Sequence, residues 1–91
     1  MMGCHISLYG RVQGIGFRNW TVSLAREFRI NGWVRNTEDY NCVELVVEGK
    51  SEKVINEFMQ VLKTEHPYAK VDRCVVSKIA VSGYKGFRVV R

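Results

Sequence analysis

Two stretches with helical spacing of apolar residues are each flanked by stretches that alternate at period two, and this exchange of periods leaves few architectures open. Cys4-His5-Ile6-Ser7-Leu8-Tyr9 alternates, which predicts a strand with Cys4, Ile6 and Leu8 on one face. Asn19 to Phe28 then carries Thr21, Leu24 and Phe28 at helical spacing, widened by Val22 and Ala25, and predicts one amphipathic helix. Asn31-Gly32 reads as its stop signal. Gly32 to Asn36 begins a second strand, Thr37 to Asn41 is a polar turn, and Cys42 to Glu48 is a third strand with Val43, Leu45 and Val47 on one side. Ser51 is suited to cap a second helix, with Glu52 in its first turn and Ile55, Phe58, Met59 and Leu62 on its inner face. The only proline, Pro67, falls in the connection beyond it. Val71 to Ala80 reads as a fourth strand and Gly86 to Val90 as a short fifth.

The order β-α-β-β-α-β plus a short C-terminal strand predicts an α+β fold, the ferredoxin-like split βαβ sandwich, with both helices on one face of a mixed or antiparallel sheet. With 91 residues, 46% of them apolar or aromatic and spread along the chain, one domain over 1–91 is expected to bury its own core. No apolar run approaches the roughly 18 to 20 residues of a membrane span. The first residues begin directly with strand-like alternation and show no charged leader or long apolar segment. The expectation is a soluble cytoplasmic monomer without membrane contacts. Cys4, Cys42 and Cys74 are far apart, with no C-x-x-C and no close Cys/His pairing. They read as small hydrophobes in a reducing compartment rather than as metal ligands. Lysines and arginines number 14 against 9 acidic residues, for a net charge of +5, which favours an anionic partner such as nucleic acid, an acidic surface or a small phosphorylated substrate. The basic residues form no long run, which weakens the case for a nucleic-acid arm.

Between the first strand and the first helix lies GRVQGIGFR, residues 10 to 18. It is not a P-loop, since Ile15 stands where that motif needs its spacing and no Lys-Ser/Thr follows. It is not a dinucleotide fingerprint either, because Gly14-x-Gly16 is followed by Asn19 instead of glycine. What remains is a tight strand-to-helix loop ending in Arg18. Glycines there let backbone N–H groups converge on an anion, the helix N-terminus adds partial positive charge, and an arginine fork can take two phosphate oxygens. By its own chemistry the stretch reads equally as such a cradle or as a plain tight turn with a solvated arginine.

GRVQGIGFR (10 to 18) and GWVRN (32 to 36) together resemble the two signatures of acylphosphatases. The resemblance runs the length of the chain and includes HPYAKV (66 to 71) and a final strand with GFRVV; Ile15 replaces the usual valine. The resemblance implies metal-free, cofactor-free hydrolysis of a carboxyl–phosphate anhydride to a carboxylate and inorganic phosphate. It implies that the backbone amides of Gln13, Gly14, Ile15, Gly16 and Phe17 cradle the phosphate, that Arg18 binds its charge, and that Asn36 orients the attacking water. Its implied partners are a small acyl phosphate and inorganic phosphate, with neither nucleic acid nor membrane.

Neither motif contains a carboxylate or histidine that could serve as a base. Arg11 and Arg35 read as solvated or ion-paired, His5 as facing out from its strand, and Trp20 and Trp33 as packing residues. The chain departs from the family pattern in two places. The turn after Asn36 is one residue longer and lacks its glycine, with Asn41 expected to take the left-handed conformation instead. Arg29 replaces the glycine often found after the first helix, which leaves Asn31-Gly32 to stop it. Two rival readings use the same plan. RNA recognition is supported only by Lys85-Gly86-Phe87, and that match fails at Arg88 and lies on the last strand. The other is a phosphate-sensing module without turnover.

Overall fold

A computed structural model describes residues 1–91. The elements run β1 (Met2–Arg11), α1 (Phe17–Glu27), β2 (Asn31–Asn36), β3 (Cys42–Gly49), α2 (Glu52–Thr64), β4 (Lys70–Ile79) and β5 (Phe87–Val89). One five-stranded sheet has the order β4-β1-β3-β2-β5. All neighbours pair antiparallel except β2 and β5, which are parallel. Period two does what it must: Cys4, Ile6 and Leu8 lie opposite Val47, Leu45 and Val43 across the β1–β3 ladder, and all six are buried. Val34 extends that face by pairing with Leu45. Onto it α1 brings Phe17, Leu24 and Ala25, and α2 brings Ile55, Phe58 and Leu62, in one core cluster. Each fully buried aliphatic or aromatic side chain in that cluster contributes about 1.5–3 kcal/mol of transfer free energy. The fold is the ferredoxin-like α+β plan, with α1 packed against β2 and β5 and α2 against β3 and β4.

Ser51 caps α2 as its sequence predicts, its side chain accepting from the Val54 N–H at 3.3 Å. The end of α1 differs from expectation. The helix stops before Asn31-Gly32, and Arg29 itself takes the left-handed conformation at φ 55°. Ile30 N–H bonds to the Ala25 carbonyl at 2.8 Å and Arg29 N–H to the Arg26 carbonyl at 3.2 Å, which is the Schellman pattern with arginine where glycine is usual. Asn31 and Gly32 are therefore already part of β2. Gly32 is needed there for a different reason: a Cβ on it would lie 1.9 Å from the Val46 carbonyl oxygen of the neighbouring strand.

The lengthened turn also corrects the sequence reading. Arg29 is the only non-glycine residue with positive φ, so Asn41 does not take the left-handed conformation. Hydrogen bonds hold the turn instead. Thr37 N–H bonds to the Cys42 carbonyl, Cys42 N–H to the Asp39 carbonyl, and the Thr37 hydroxyl to both of those carbonyls. A second unforeseen feature lies at the other end of the sheet. Glu48 belongs to the sheet face opposite the helices, yet it is only 1% exposed, because residues 80–86 cross over it between β4 and β5. Its carboxylate accepts the backbone N–H groups of Ser82, Gly83 and Tyr84 at 2.5, 3.0 and 2.9 Å.

Candidate active site

Against β4 the register of β1 shifts between Tyr9 and Gly10, and after Arg11 the chain turns off the sheet into residues 12–16. Gly14 and Gly16 both take positive φ, at 75° and 74°. A Cβ on either would meet nothing within 4 Å, so glycine is required here by torsion and not by crowding. Left-handed residues alternating with ordinary ones turn successive N–H groups toward one side, the geometry of an anion nest. None of the backbone N–H groups from Gln13 to Gly16 donates to another group of the protein.

The loop delivers these groups to the start of α1. Gly16 is the N-cap, offers no side-chain acceptor, and is followed by no acidic residue in the first turn. The N–H groups of Phe17, Arg18 and Asn19 thus keep their partial positive charge without a partner from the chain. Arg18, in the same turn, is half-buried and forms no ion pair, since the two salt bridges of the molecule both belong to Glu44.

Asn36 is the last residue of β2, where the ladder to Val43 fixes its backbone. Its Oδ1 is the only buried side-chain nitrogen or oxygen in the molecule without a hydrogen-bond partner. Leaving such an acceptor unpaired costs about 1–3 kcal/mol, and a group of that kind in an otherwise satisfied structure calls for a ligand or water. Asn36 closes the molecule's one cavity, of about 100 Å³, together with Val12, Gly14, Gly16, Phe17, Arg18 and Asn19. That is well below the roughly 300 Å³ at which drug-sized pockets begin. The space suits a small anion held at one wall by N–H donors and a guanidinium, with an amide at the other.

Of the residues singled out from sequence, Gly14, Gly16, Phe17, Arg18 and Asn36 line this cavity. Gln13 and Ile15 lie on the loop but do not line it: Ile15 packs against the core, and the Gln13 side chain turns away to the 37–42 turn. Val12 and Asn19 complete the lining without having been singled out. Their signal is positional, because Val12 follows the last strand residue and Asn19 shares the first helical turn with Arg18.

The surroundings divide by chemistry. His5, Glu44 and Arg35 form an ion-paired group on the open sheet face, with Glu44 oxygens 2.8 Å from His5 Nε2 and 2.5 Å from Arg35 Nε. Burial pushes the Glu44 carboxyl up, but hydrogen bonds and charge from Arg35 and His5 outweigh it and hold the group below the usual carboxylate range. Arg35 is thus ion-paired, while Arg11 is exposed. Behind Phe17, the rings of Trp20 and His66 pack at 5.5 and 5.6 Å between centroids, so Trp20 is a packing residue. Trp33 is held by a 3.2 Å bond from its indole N–H to the Tyr84 hydroxyl. Burial pushes the Cys4 and Cys74 thiols up, away from thiolate character.

Known proteins resemble this chain in both sequence and shape. Residues 4–89 match the family described as Acylphosphatase. An acylphosphatase of Treponema denticola is 44% identical over 85 residues, covering 93% of this chain and 88% of its own. That of Thermococcus kodakarensis is 42% identical over 87 residues, covering 94% and 92%. The crystal structure of acylphosphatase from Bacillus subtilis superposes with a TM-score of 0.93 at 33% identity, each chain covered completely. The matched span contains both walls of the cavity, and the chain belongs to the acylphosphatase family.

Proposed function

We propose that the cavity between the 12–16 loop and Asn36 hydrolyses small acyl phosphates to a carboxylate and inorganic phosphate without a metal or other cofactor. The phosphoryl group sits in the nest, its oxygens taken by the backbone N–H groups of Gln13, Gly14, Ile15, Gly16 and Phe17 and by the Arg18 guanidinium. Water lies against Asn36, whose Oδ1 accepts one of its hydrogens while the amide nitrogen donates to a phosphate oxygen. Attack on phosphorus forms the new P–O bond as the bond to the acyl oxygen breaks, and the electron pair leaves on the carboxylate.

This chemistry accounts for the absence of a general base or acid among the lining residues. The conjugate acid of the leaving carboxylate has a pKa of about 4, so it departs unprotonated. The phosphoryl-transfer transition state is loose, so water needs little deprotonation beforehand, and its proton passes to a phosphate oxygen. Alignment and charge stabilisation remain for the protein to supply. The observation that carries the reading is the buried, unpartnered Oδ1 of Asn36, a residue that lines a cavity whose other wall consists of unused N–H donors and an unpaired arginine.

We also propose that the chain acts as one domain and a cytoplasmic monomer, with no nucleic-acid or membrane partner. The continuous match over residues 4–89 supports a single domain, and no helix is long and apolar enough to cross a membrane.

Hydrolysis of benzoyl phosphate, followed with and without a chelator, tests the reaction. Wild type is expected to turn over at an unchanged rate after chelation. Arg18→Ala, which removes the one guanidinium at the phosphate, is expected to lose about 10²–10³-fold in kcat/KM, the magnitude typical of removing one preorganised charge-stabilising donor. Activity abolished by chelation and restored by metal would overturn the mechanism.

A further inference from the structure

The two walls of the cavity hang on strands that do not touch: the loop leaves β1, Asn36 ends β2, and β3 lies between them. β3 pairs with both and fixes their spacing as far as Gly10 and Asn36, but the 12–16 loop lies beyond those ladders, so its distance from Asn36 depends also on contacts across the gap. The Gln13 side chain crosses it. Its Nε2 donates to the carbonyl oxygens of Cys42 at 2.7 Å, Asp39 at 2.8 Å and Thr37 at 3.3 Å. With three carbonyl acceptors around one atom, that atom must be the amide nitrogen, and its two protons serve the two short contacts. Gln13 adjoins Gly14 in the nest, and Thr37 adjoins Asn36. One amide thus joins a residue of the cradle to the residue next to the water-binding side chain.

We infer that the Gln13 side chain is a positioning residue, a clamp that sets the distance between the phosphate cradle and Asn36. The inference rests on the reading of this cavity as the hydrolytic site and adds to it a role distinct from the Gln13 backbone N–H. The clamp also organises the lengthened turn, whose carbonyls of Asp39 and Cys42 converge on the amide and on the Thr37 hydroxyl without a left-handed residue. Misplacement of reacting groups by about 1 Å can cost 10²-fold in rate. Phosphate affinity depends on N–H groups and Arg18, all of which survive loss of the clamp, so it should respond less.

Gln13→Met keeps the length and the backbone N–H but has nothing to donate; Gln13→Ala serves if the methionine variant does not fold. Three quantities are measured: kcat on benzoyl phosphate, Kd for inorganic phosphate by calorimetry, and amide exchange at Thr37 and Cys42. The expected result is a fall in kcat of about 10- to 100-fold, a rise in Kd of no more than about threefold, near the low end for one neutral hydrogen bond because the lost bond is not one to phosphate, and faster exchange at both amides. Wild-type kcat in the variant would overturn the inference, whatever the exchange shows. So would a loss of phosphate affinity as large as the loss of kcat, because that would make Gln13 a binding group. If wild type itself fails to hydrolyse the substrate, the hydrolytic reading falls, and exchange alone decides the clamp: faster exchange at Thr37 and Cys42 supports it, and unchanged exchange overturns it.

Discussion

Glu44 lies between a guanidinium and an imidazole, and their hydrogen bonds lower its carboxyl in spite of partial burial. A carboxyl depressed in the folded state adds stability above its unfolded pKa, near 4.3, and loses that contribution as pH falls through the folded value. Wild type should therefore lose stability more steeply than Glu44→Gln as pH drops below about 4.3. Urea midpoints taken from pH 6 down to the acid limb provide the check, and parallel curves for the two proteins would contradict it. The residues that carry this group were visible in the sequence as polar alternates of their strands. Their partnership was not, because Arg35 and Glu44 meet only once the β2–β3 register is set.

At the scale of the element, α1 shows what a local rule can and cannot predict. Helical spacing located its buried stripe of Thr21, Leu24 and Ala25. Its N-terminus escaped the rule because Gly16 caps it without a side-chain acceptor, so the usual Ser, Thr, Asp or Asn signal is missing. The same omission leaves the first N–H groups available in the cavity. Its C-terminus escaped because an arginine holds the left-handed position of the Schellman motif. Arg29 is exposed, so glycine there would relieve the torsion and remove no buried contact. Arg29→Gly is expected to stabilise the protein by about 0.5–1 kcal/mol, after the entropy of the freer unfolded chain is deducted. That corresponds to a rise of roughly 2–8 °C in Tm for a domain of this size. A lower Tm would mean that the residue makes contacts beyond its backbone role.

Across the whole molecule, most of the fold was legible because it follows from the alternation of periods two and 3.6, a property of neighbours in sequence. The arrangements that escaped are ties between distant segments. Glu48 is bonded to residues 34 to 36 positions away, and Gln13 to residues 24 to 29 away. Nothing near either residue announces its partners. The Glu48 tie holds the crossing over the sheet that brings β5 to the far edge, so its loss should be felt globally. Glu48→Gln turns one acceptor into a donor facing backbone N–H groups, and a loss of about 1–3 kcal/mol is expected. Chemical denaturation gives the magnitude, and faster exchange at Ser82, Gly83 and Tyr84 would locate it. Unchanged stability would show that residues 80–86 are held by other contacts.

The site is itself a property of the whole molecule, since the loop and Asn36 become neighbours only through the sheet. Asn36→Ala tests it most directly, with turnover of benzoyl phosphate, affinity for inorganic phosphate and melting temperature measured on one preparation. A loss of at least about 100-fold in kcat is expected, the scale of a removed positioning group. Phosphate should still bind through the cradle and Arg18. The melting temperature should not fall by more than about 4 °C, because the deleted acceptor has no partner in the protein. Near-wild-type turnover in a folded Asn36→Ala protein would refute the water-orienting role of Asn36, for the unpartnered amide would then be serving something other than the attacking water.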